Sequence, residues 1–220
     1  MDERRRQKKL ARKAAKRKKS LAAKRTFHGG GSTGTFEKQV AFAAGMPLHE
    51  CLVPRGLFDM GIGNLVISRK MPNDHIGFAI FLVDVFCLGV KNCLFAVLPL
   101  SEYERKMRDL RQAEVLESIQ PACAVKLIEN AVAYAQDLGI RPHWEYAIIK
   151  RIFGDINPAI CGQEFRFGKD GKPLYISGPH ETKADSERII DILNKKLGPG
   201  EFDFMMKVDL QDERFLAARA

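Results

Sequence analysis

The sequence lacks any apolar run long enough to cross a membrane. Its longest candidate, Ile76 to Pro99, is interrupted by Asp84, Gly89 and Lys91, whereas a spanning helix needs about 18 or more consecutive, mostly apolar residues. The sequence also shows no secretory signal, and its five cysteines are an odd number with no CxxC pair among them. Such cysteines are typical of free thiols in a reducing compartment, so we expect a cytoplasmic protein.

Motifs for metals and nucleotides are incomplete. The HExxH pattern that begins at His49 fails because Val53 occupies the position of the second histidine. The stretch from Gly29 to Thr35 has the glycine spacing of a phosphate loop but lacks the lysine that such a loop requires. The sequence therefore predicts no metal site and no bound cofactor.

Most of the chain has no excess of positive charge. Residues 1–25 contain 13 of the 36 Lys and Arg residues and only two acidic residues, Asp2 and Glu3, which gives a net charge of +11. The rest of the chain carries 23 basic and 25 acidic residues. The basic character therefore belongs to an N-terminal arm on a nearly neutral body.

This arm, residues 1–26, has few apolar residues to pack on a core, so we expect it to be partly disordered or helical. A linker rich in Gly, Ser and Thr follows at 27–36. A solubilising role would need less charge, and a transit peptide would be richer in Ser and apolar residues. We therefore predict that the arm binds the phosphates of RNA or DNA, with ribosomal RNA the favoured polyanion. The predicted phosphate-binding residues are Arg4, Arg5, Arg6, Lys8, Lys9, Arg12, Lys13, Lys16, Arg17, Lys18, Lys19, Lys24 and Arg25.

The body, residues 37–210, is predicted to have an α+β fold and to divide into halves at 37–118 and 119–210, with a tail at 211–220. In the first half, apolar segments flank the turn Pro72 to His75, which predicts a β-hairpin. A third strand follows, and then a helix for which Ser101 and Glu104 predict a capping box.

The second half is predicted to run ααββαβ. Pro121 begins an apolar helix, and a shorter helix covers 143–153. A hairpin around Asp170-Gly171 precedes a helix over 184–197 and a last strand over 202–208.

Three segments carry a resemblance: Phe81 to Lys91, Leu138 to His143, and Phe167 to Pro179. They resemble the signatures of a set of uncharacterised bacterial hypothetical proteins, and the resemblance covers roughly residues 48–205. It implies a bacterial, cytoplasmic setting and no particular activity.

The stretch "FLVDVFCLGVKNC", Phe81 to Cys93, places polar residues in an apolar segment. If it is one central strand, Asp84 and Cys87 point to opposite faces. A buried carboxylate must be paired, hydrogen-bonded or protonated, and Lys91 is a candidate partner. Such a group is either a structural ion pair or part of a site. Cys87 would need a neighbouring histidine to act as a nucleophile, and buried cysteines are common in cores.

If the protein is an enzyme, we expect Asp84, Lys91 and His180 to form its catalytic site. Asp84 would orient a histidine, and Lys91 would offset charge that develops on a phosphate. The competing interpretation is that Gly89 and Gly178, which precede the last two of these residues, merely end strands.

The sole tryptophan, Trp144, is expected to fill the seam between the two halves, since stacking on a base would require an exposed ring. The sequence thus favours a cytoplasmic protein held on RNA or DNA by its arm. Two alternatives stay open: a hydrolase acting on nucleic acid, and a protein-interaction module with a merely solubilising arm. A pocket shared by Asp84, Lys91 and a histidine would favour the hydrolase, whereas their burial in the core would favour the binding protein.

Overall fold

A computed structural model describes residues 33–206. The basic arm and the tail at 211–220 lie outside the described residues. The described chain combines a five-stranded antiparallel sheet with packed helices, which confirms the predicted α+β class. The elements are α1 Thr33–Ala44, β1 Leu48–Pro54, α2 Leu57–Met60, β2 Ile62–Met71, β3 His75–Asp84, β4 Gly89–Pro99, α3 Leu100–Ala113, β5 Leu116–Ser118, α4 Pro121–Asp137, α5 Tyr146–Ile149, β6 Leu174–Ile176, α6 Lys183–Leu197 and β7 Asp203–Met205, with 3-10 turns at Lys150–Phe153 and Pro158–Ile160.

The large sheet has the strand order β4-β3-β2-β1-β5. The predicted hairpin is confirmed, because Met71 of β2 pairs with His75 of β3 across a tight turn. Asn73 and Asp74 have φ values of 57° and 53° in that turn, a region that Asn and Asp tolerate better than most residues. No helix within residues 33–206 combines the length and apolar character needed to cross a bilayer.

Both faces of the sheet are covered. Helix α4 packs on one face, where its buried Leu127, Ile128 and Ala131 belong to the largest core cluster. Helix α3 covers the other face with Tyr103 and Met107. The largest cluster draws residues from both predicted halves of the body. The sheet and α4 therefore share one core.

The stretch from Phe81 to Cys93 is not one strand, which corrects the sequence prediction. Strand β3 ends at Asp84, and β4 begins at Gly89 after a turn over residues 85–88. Asp84 Oδ1 accepts hydrogen bonds from the backbone N–H groups of Phe86 and Cys87, each at 2.9 Å. The carboxylate therefore organises the reversal of the chain, as Asp side chains do in turns.

The turn also fixes its neighbours. Gly89 has a φ of 63°, and a Cβ at this position would lie 2.6 Å from the carbonyl oxygen of Ala131, so glycine is required by both conformation and contact. The Val85 N–H donates to the Gly61 carbonyl at 2.8 Å, and the Gly168 N–H donates to the Val85 carbonyl at 2.9 Å. The turn is thereby anchored to two other segments of the chain.

Several local predictions differ from the structure. The predicted linker overlaps α1, which begins at Thr33 because Phe36 packs edge-on against Phe95 of the core at 6.0 Å. Helix α3 starts one residue before Ser101 and has Pro99 as its N-cap without a side-chain bond. The second predicted hairpin is reduced to one bridge between Lys169 and Lys172, since β6 pairs with β7 in parallel instead.

The cysteines also differ from the prediction of five free thiols. Cys123 and Cys161 form a disulfide that joins α4 to the turn at Pro158–Ile160, whereas Cys51, Cys87 and Cys93 are free and buried. Because two of the five cysteines are paired, the cysteines no longer indicate a reducing compartment.

The Asp84 turn yields a stability prediction. Asp84→Leu should unfold more readily than Asp84→Asn at pH 7 by about 1–3 kcal/mol, because leucine leaves buried N–H donors without the acceptor that asparagine still offers. Both variants are uncharged, so their difference isolates the acceptor. Equal midpoints in urea denaturation for the two variants would contradict a structural role for these bonds.

The same carboxyl predicts a pH dependence. Burial raises the pKa of Asp84 from 3.8 to about 6, although backbone N–H groups and Lys91 oppose the shift. Because the folded state holds the proton more tightly, the contribution of this group to stability is greatest below pH 3.8 and is lost as the pH rises to 6, by about 3 kcal/mol. The stability of Asp84→Asn relative to the wild type should therefore increase between pH 4 and pH 7, as measured by urea denaturation at each pH. A constant difference would contradict the assignment.

Candidate functional site

A cavity of about 740 Å³ opens beside the turn between β3 and β4. We call it the β4 cavity, because four consecutive residues of β4 contribute to its lining. It is lined by Met60 to Ile62, Leu82, Asp84, Phe86, Lys91 to Leu94, His143 to Glu145, Leu174, and Ile176 to Glu181. Most of this lining is apolar, and the polar groups stand at a few positions within it, as is common in sites for small ligands.

The three residues predicted to form a catalytic site all line this cavity. Asp84 comes from the end of β3, Lys91 from β4, and His180 from the loop between β6 and α6. The predicted phosphate-binding residues of the arm lie outside the described residues. The structure therefore brings the predicted catalytic set together, and the chemistry of each member can be compared with its predicted role.

Asp84 has a structural task. Its side chain is buried, with 5% of the residue exposed, and Oδ1 already accepts two backbone hydrogen bonds. A carboxylate engaged in this way is poorly placed to orient a histidine, as the catalytic interpretation requires.

Lys91 forms an ion pair within the cavity wall. The pairing of β3 with β4 shifts register at Leu82 and Val83, so Lys91 occupies a β-bulge, a feature that redirects side chains. Its Nζ lies 2.5 Å from Glu181 Oε1, and both side chains are largely buried. The ammonium that was predicted to offset phosphate charge is thus already neutralised by a carboxylate of the chain.

Glu181 fastens the loop that carries His180. Its Oε2 accepts hydrogen bonds from the Tyr175 hydroxyl at 2.6 Å and from the Gly178 N–H at 3.0 Å. Burial alone would raise the pKa of Glu181, but the hydrogen bonds from Lys91 and Tyr175 outweigh it and hold the pKa below its usual range. Glu181 is therefore ionised at neutral pH and ties β4 to this loop.

Two residues of this loop explain its form. A Cβ on Gly178 would lie 2.9 Å from Lys91 Nζ, so the backbone passes close to the ion pair, and a larger residue there would displace the end of the lysine side chain. His180 is exposed to solvent at the cavity. Sequence reasoning selected His180 and missed its neighbour Glu181, because a single glutamate in a loop carries no spacing signal.

A second cluster in the cavity wall contains Cys93, His143 and Glu145. His143 Nδ1 lies 3.5 Å from Cys93 Sγ, 3.4 Å from the Glu145 backbone N and 3.9 Å from Glu145 Oε2. All three contacts meet at one ring nitrogen, whereas a nucleophile, its base and the orienting carboxylate need both nitrogens of the ring.

The thiols do not show nucleophilic activation. Burial, with a smaller contribution from Glu145, raises the pKa of Cys93 to about 12. Cys87 is fully buried in the cluster that contains Tyr175 and Leu193, and burial likewise raises its pKa to about 12. Since the thiolate is the reactive form, both cysteines are core residues by their surroundings.

Trp144 corrects another prediction. It does not fill a seam between halves, since 74% of it is exposed. Its ring is tilted by 40° against that of His143, with the centroids 5.6 Å apart. Because Trp144 also lines the cavity, the indole stands at the cavity opening.

The charges of the cavity favour uncharged or cationic groups. Asp84, Glu145 and Glu181 contribute carboxyl groups, whereas Lys91, which is paired with Glu181, contributes the only ammonium among the described residues that line the cavity. A phosphate in the cavity would lie near these buried carboxyl groups in a partly apolar setting, where like charges repel more strongly than in water. Within the described residues, no group of three or more His, Cys, Asp or Glu side chains is arranged to hold a metal ion.

Comparison of the chain with family models, with curated proteins and with solved structures found no match in any of the three.

The loop anchor yields a prediction. Glu181→Ala should lower the free energy of unfolding by about 1–3 kcal/mol, because it removes the acceptor of the Lys91 ammonium and one of the two hydrogen-bond partners of the buried Tyr175 hydroxyl. In a double-mutant cycle with Lys91→Ala, measured by urea denaturation, the double variant should lose less stability than the two single variants together. Additive losses would show that the ion pair contributes nothing.

Proposed function

We propose that this protein associates with nucleic acid through its basic N-terminal arm, with the folded body presented to the bound strand. The observation that carries the proposal is the segregation of charge: residues 1–25 have a net charge of +11, while the rest of the chain has two more acidic than basic residues. A dense cationic segment attracts the phosphate backbone of any nucleic acid and releases its counterions.

The described body supports this division of tasks. Helix α1 begins at Thr33, a few residues after the arm, and packs into the core through Val40 and Ala43. The arm is therefore attached near a firmly packed element. Any strand held by the arm would be kept close to the body, at a high effective concentration.

The hydrolase is a second candidate, because Asp84, Lys91 and His180 do line one cavity. The residues of the cavity are poorly suited to this hydrolase chemistry. The carboxylate of Asp84 holds a turn, the ammonium of Lys91 is paired with Glu181, and the excess of carboxyl groups opposes the approach of a phosphodiester.

The salt dependence of binding tests the proposal. If the arm neutralises about six phosphates of a duplex, the logarithm of affinity should fall with the logarithm of salt concentration with a slope of about −5, and removal of residues 1–26 should bring that slope close to zero. Fluorescence anisotropy of a labelled duplex, titrated at several salt concentrations, measures the slope.

A matched control is removal of residues 211–220, a segment with two acidic and two basic residues. This change should leave the slope and the affinity unaltered. If the protein without residues 1–26 keeps the affinity and slope of the full chain, the proposal is wrong.

The two candidates also differ in what happens to the nucleic acid. We expect labelled single-stranded RNA and DNA to remain intact after prolonged incubation with the full chain. Cleavage that is lost in His180→Ala would favour the hydrolase, provided that it persists in a control variant away from the cavity, such as Phe42→Ala.

A further inference from the structure

The exposed indole of Trp144 has a setting that suits a planar ligand. The ring is 74% exposed, and its neighbour His143 is held through Nδ1 by Cys93 and by the Glu145 backbone. The backbone is fixed as well, since the His143 N–H donates to the Val90 carbonyl at 2.9 Å. A ring that is exposed on a fixed backbone provides a stacking platform at a low cost in conformational entropy.

The cavity behind the indole has the size and lining of a ligand site. Its volume of about 740 Å³ lies within the range of about 300–1,000 Å³ that is usual for small-molecule sites. Met60, Ile62 and Ile176, which are exposed apolar residues, belong to the same lining. Asn92 adds an exposed amide, a group that donates and accepts hydrogen bonds.

The charge of the cavity selects among ligands. Its carboxyl groups disfavour phosphates, whereas the exposed side chain of Asn92 carries an amide that can donate hydrogen bonds to the edge of a base and accept them from it. A nucleobase is planar, uncharged and apolar on its faces. It therefore suits the indole, the apolar lining and the Asn92 amide together, while the phosphates attached to it would remain outside the cavity.

We propose that the β4 cavity binds an unpaired nucleobase stacked on Trp144, taken from the single strand whose phosphates the N-terminal arm holds. This inference rests on the proposed function and adds the recognition of unpaired bases to it. The arm supplies affinity that depends on salt, and the cavity distinguishes single strands from duplexes, because the bases of a duplex are already stacked and paired.

The chain offers a direct probe, since Trp144 is its only tryptophan. Adenine-rich single-stranded RNA and DNA should quench the tryptophan emission on binding. A duplex and inorganic polyphosphate should compete for the arm, as judged by displacement of a labelled single strand, without quenching the emission.

Substitutions supply the second measurement. Trp144→Ala should weaken single-strand binding about 5- to 150-fold, the range found when one base–aromatic stack is removed. Its duplex affinity and its salt slope should equal those of the wild type. Trp144→Phe, which keeps an aromatic face, should retain most of the single-strand affinity.

The matched control is Phe42→Ala, which removes another exposed aromatic ring from helix α1, outside the cavity. It should leave single-strand affinity unchanged. Thermal melting of each variant checks that the fold is intact, and substitution of an exposed ring should change it little.

The outcomes separate the two proposals. If duplex and polyphosphate bind but single strands neither quench Trp144 nor lose affinity in Trp144→Ala, the cavity inference is overturned and the arm proposal stands. If none of these probes binds, the proposed function fails and the inference falls with it. If Trp144→Ala lost duplex affinity as much as single-strand affinity, base recognition would also be overturned, because the variant would then have a general defect in nucleic-acid binding.

Discussion

The hydrogen bonds that Asp84 accepts from the turn over residues 85–88 are the constraint on which the cavity depends. They reverse the chain between β3 and β4, so that Gly89 can approach α4 closely and the bulge at Lys91 can face the loop that follows β6. An intact strand through this region would place Lys91 and Cys93 elsewhere. The cost is a buried carboxyl group, whose pKa burial raises to about 6, and the packed turn repays that cost with satisfied backbone donors.

Charge is also separated within the molecule. The cavity beside the turn contains more carboxyl groups than ammonium groups, whereas the net positive charge of the chain is confined to residues 1–25. The cavity disfavours phosphates, which the arm attracts. In our account a nucleic acid is therefore divided between them, with its phosphates on the arm and an unpaired base at the indole of Trp144.

The sequence predicted elements that have local signals. Pro72, Asn73 and Asp74 marked the hairpin between β2 and β3, and Pro121 marked the start of α4. It also selected Asp84, Lys91 and His180, which do share a cavity. It missed the turn over residues 85–88, because Val85, Phe86, Cys87 and Leu88 are all buried and their apolar pattern resembles a strand. Trp144 and Glu181 depend on tertiary placement: exposure of the first and pairing of the second are properties that no spacing encodes. The disulfide between Cys123 and Cys161 joins positions 38 residues apart, and only the fold brings them together.

Photocrosslinking tests the central claim, that arm and cavity engage one strand together, most directly. Single-stranded RNA carrying a photoreactive base is irradiated with the full chain, and the crosslinked peptides are identified by mass spectrometry. We expect crosslinks to the peptide that contains Trp144. These crosslinks should be lost when the arm is removed, if the protein concentration is kept below the dissociation constant of the cavity alone. Crosslinks confined to other surfaces of the body, with the Trp144 peptide unmodified, would contradict it.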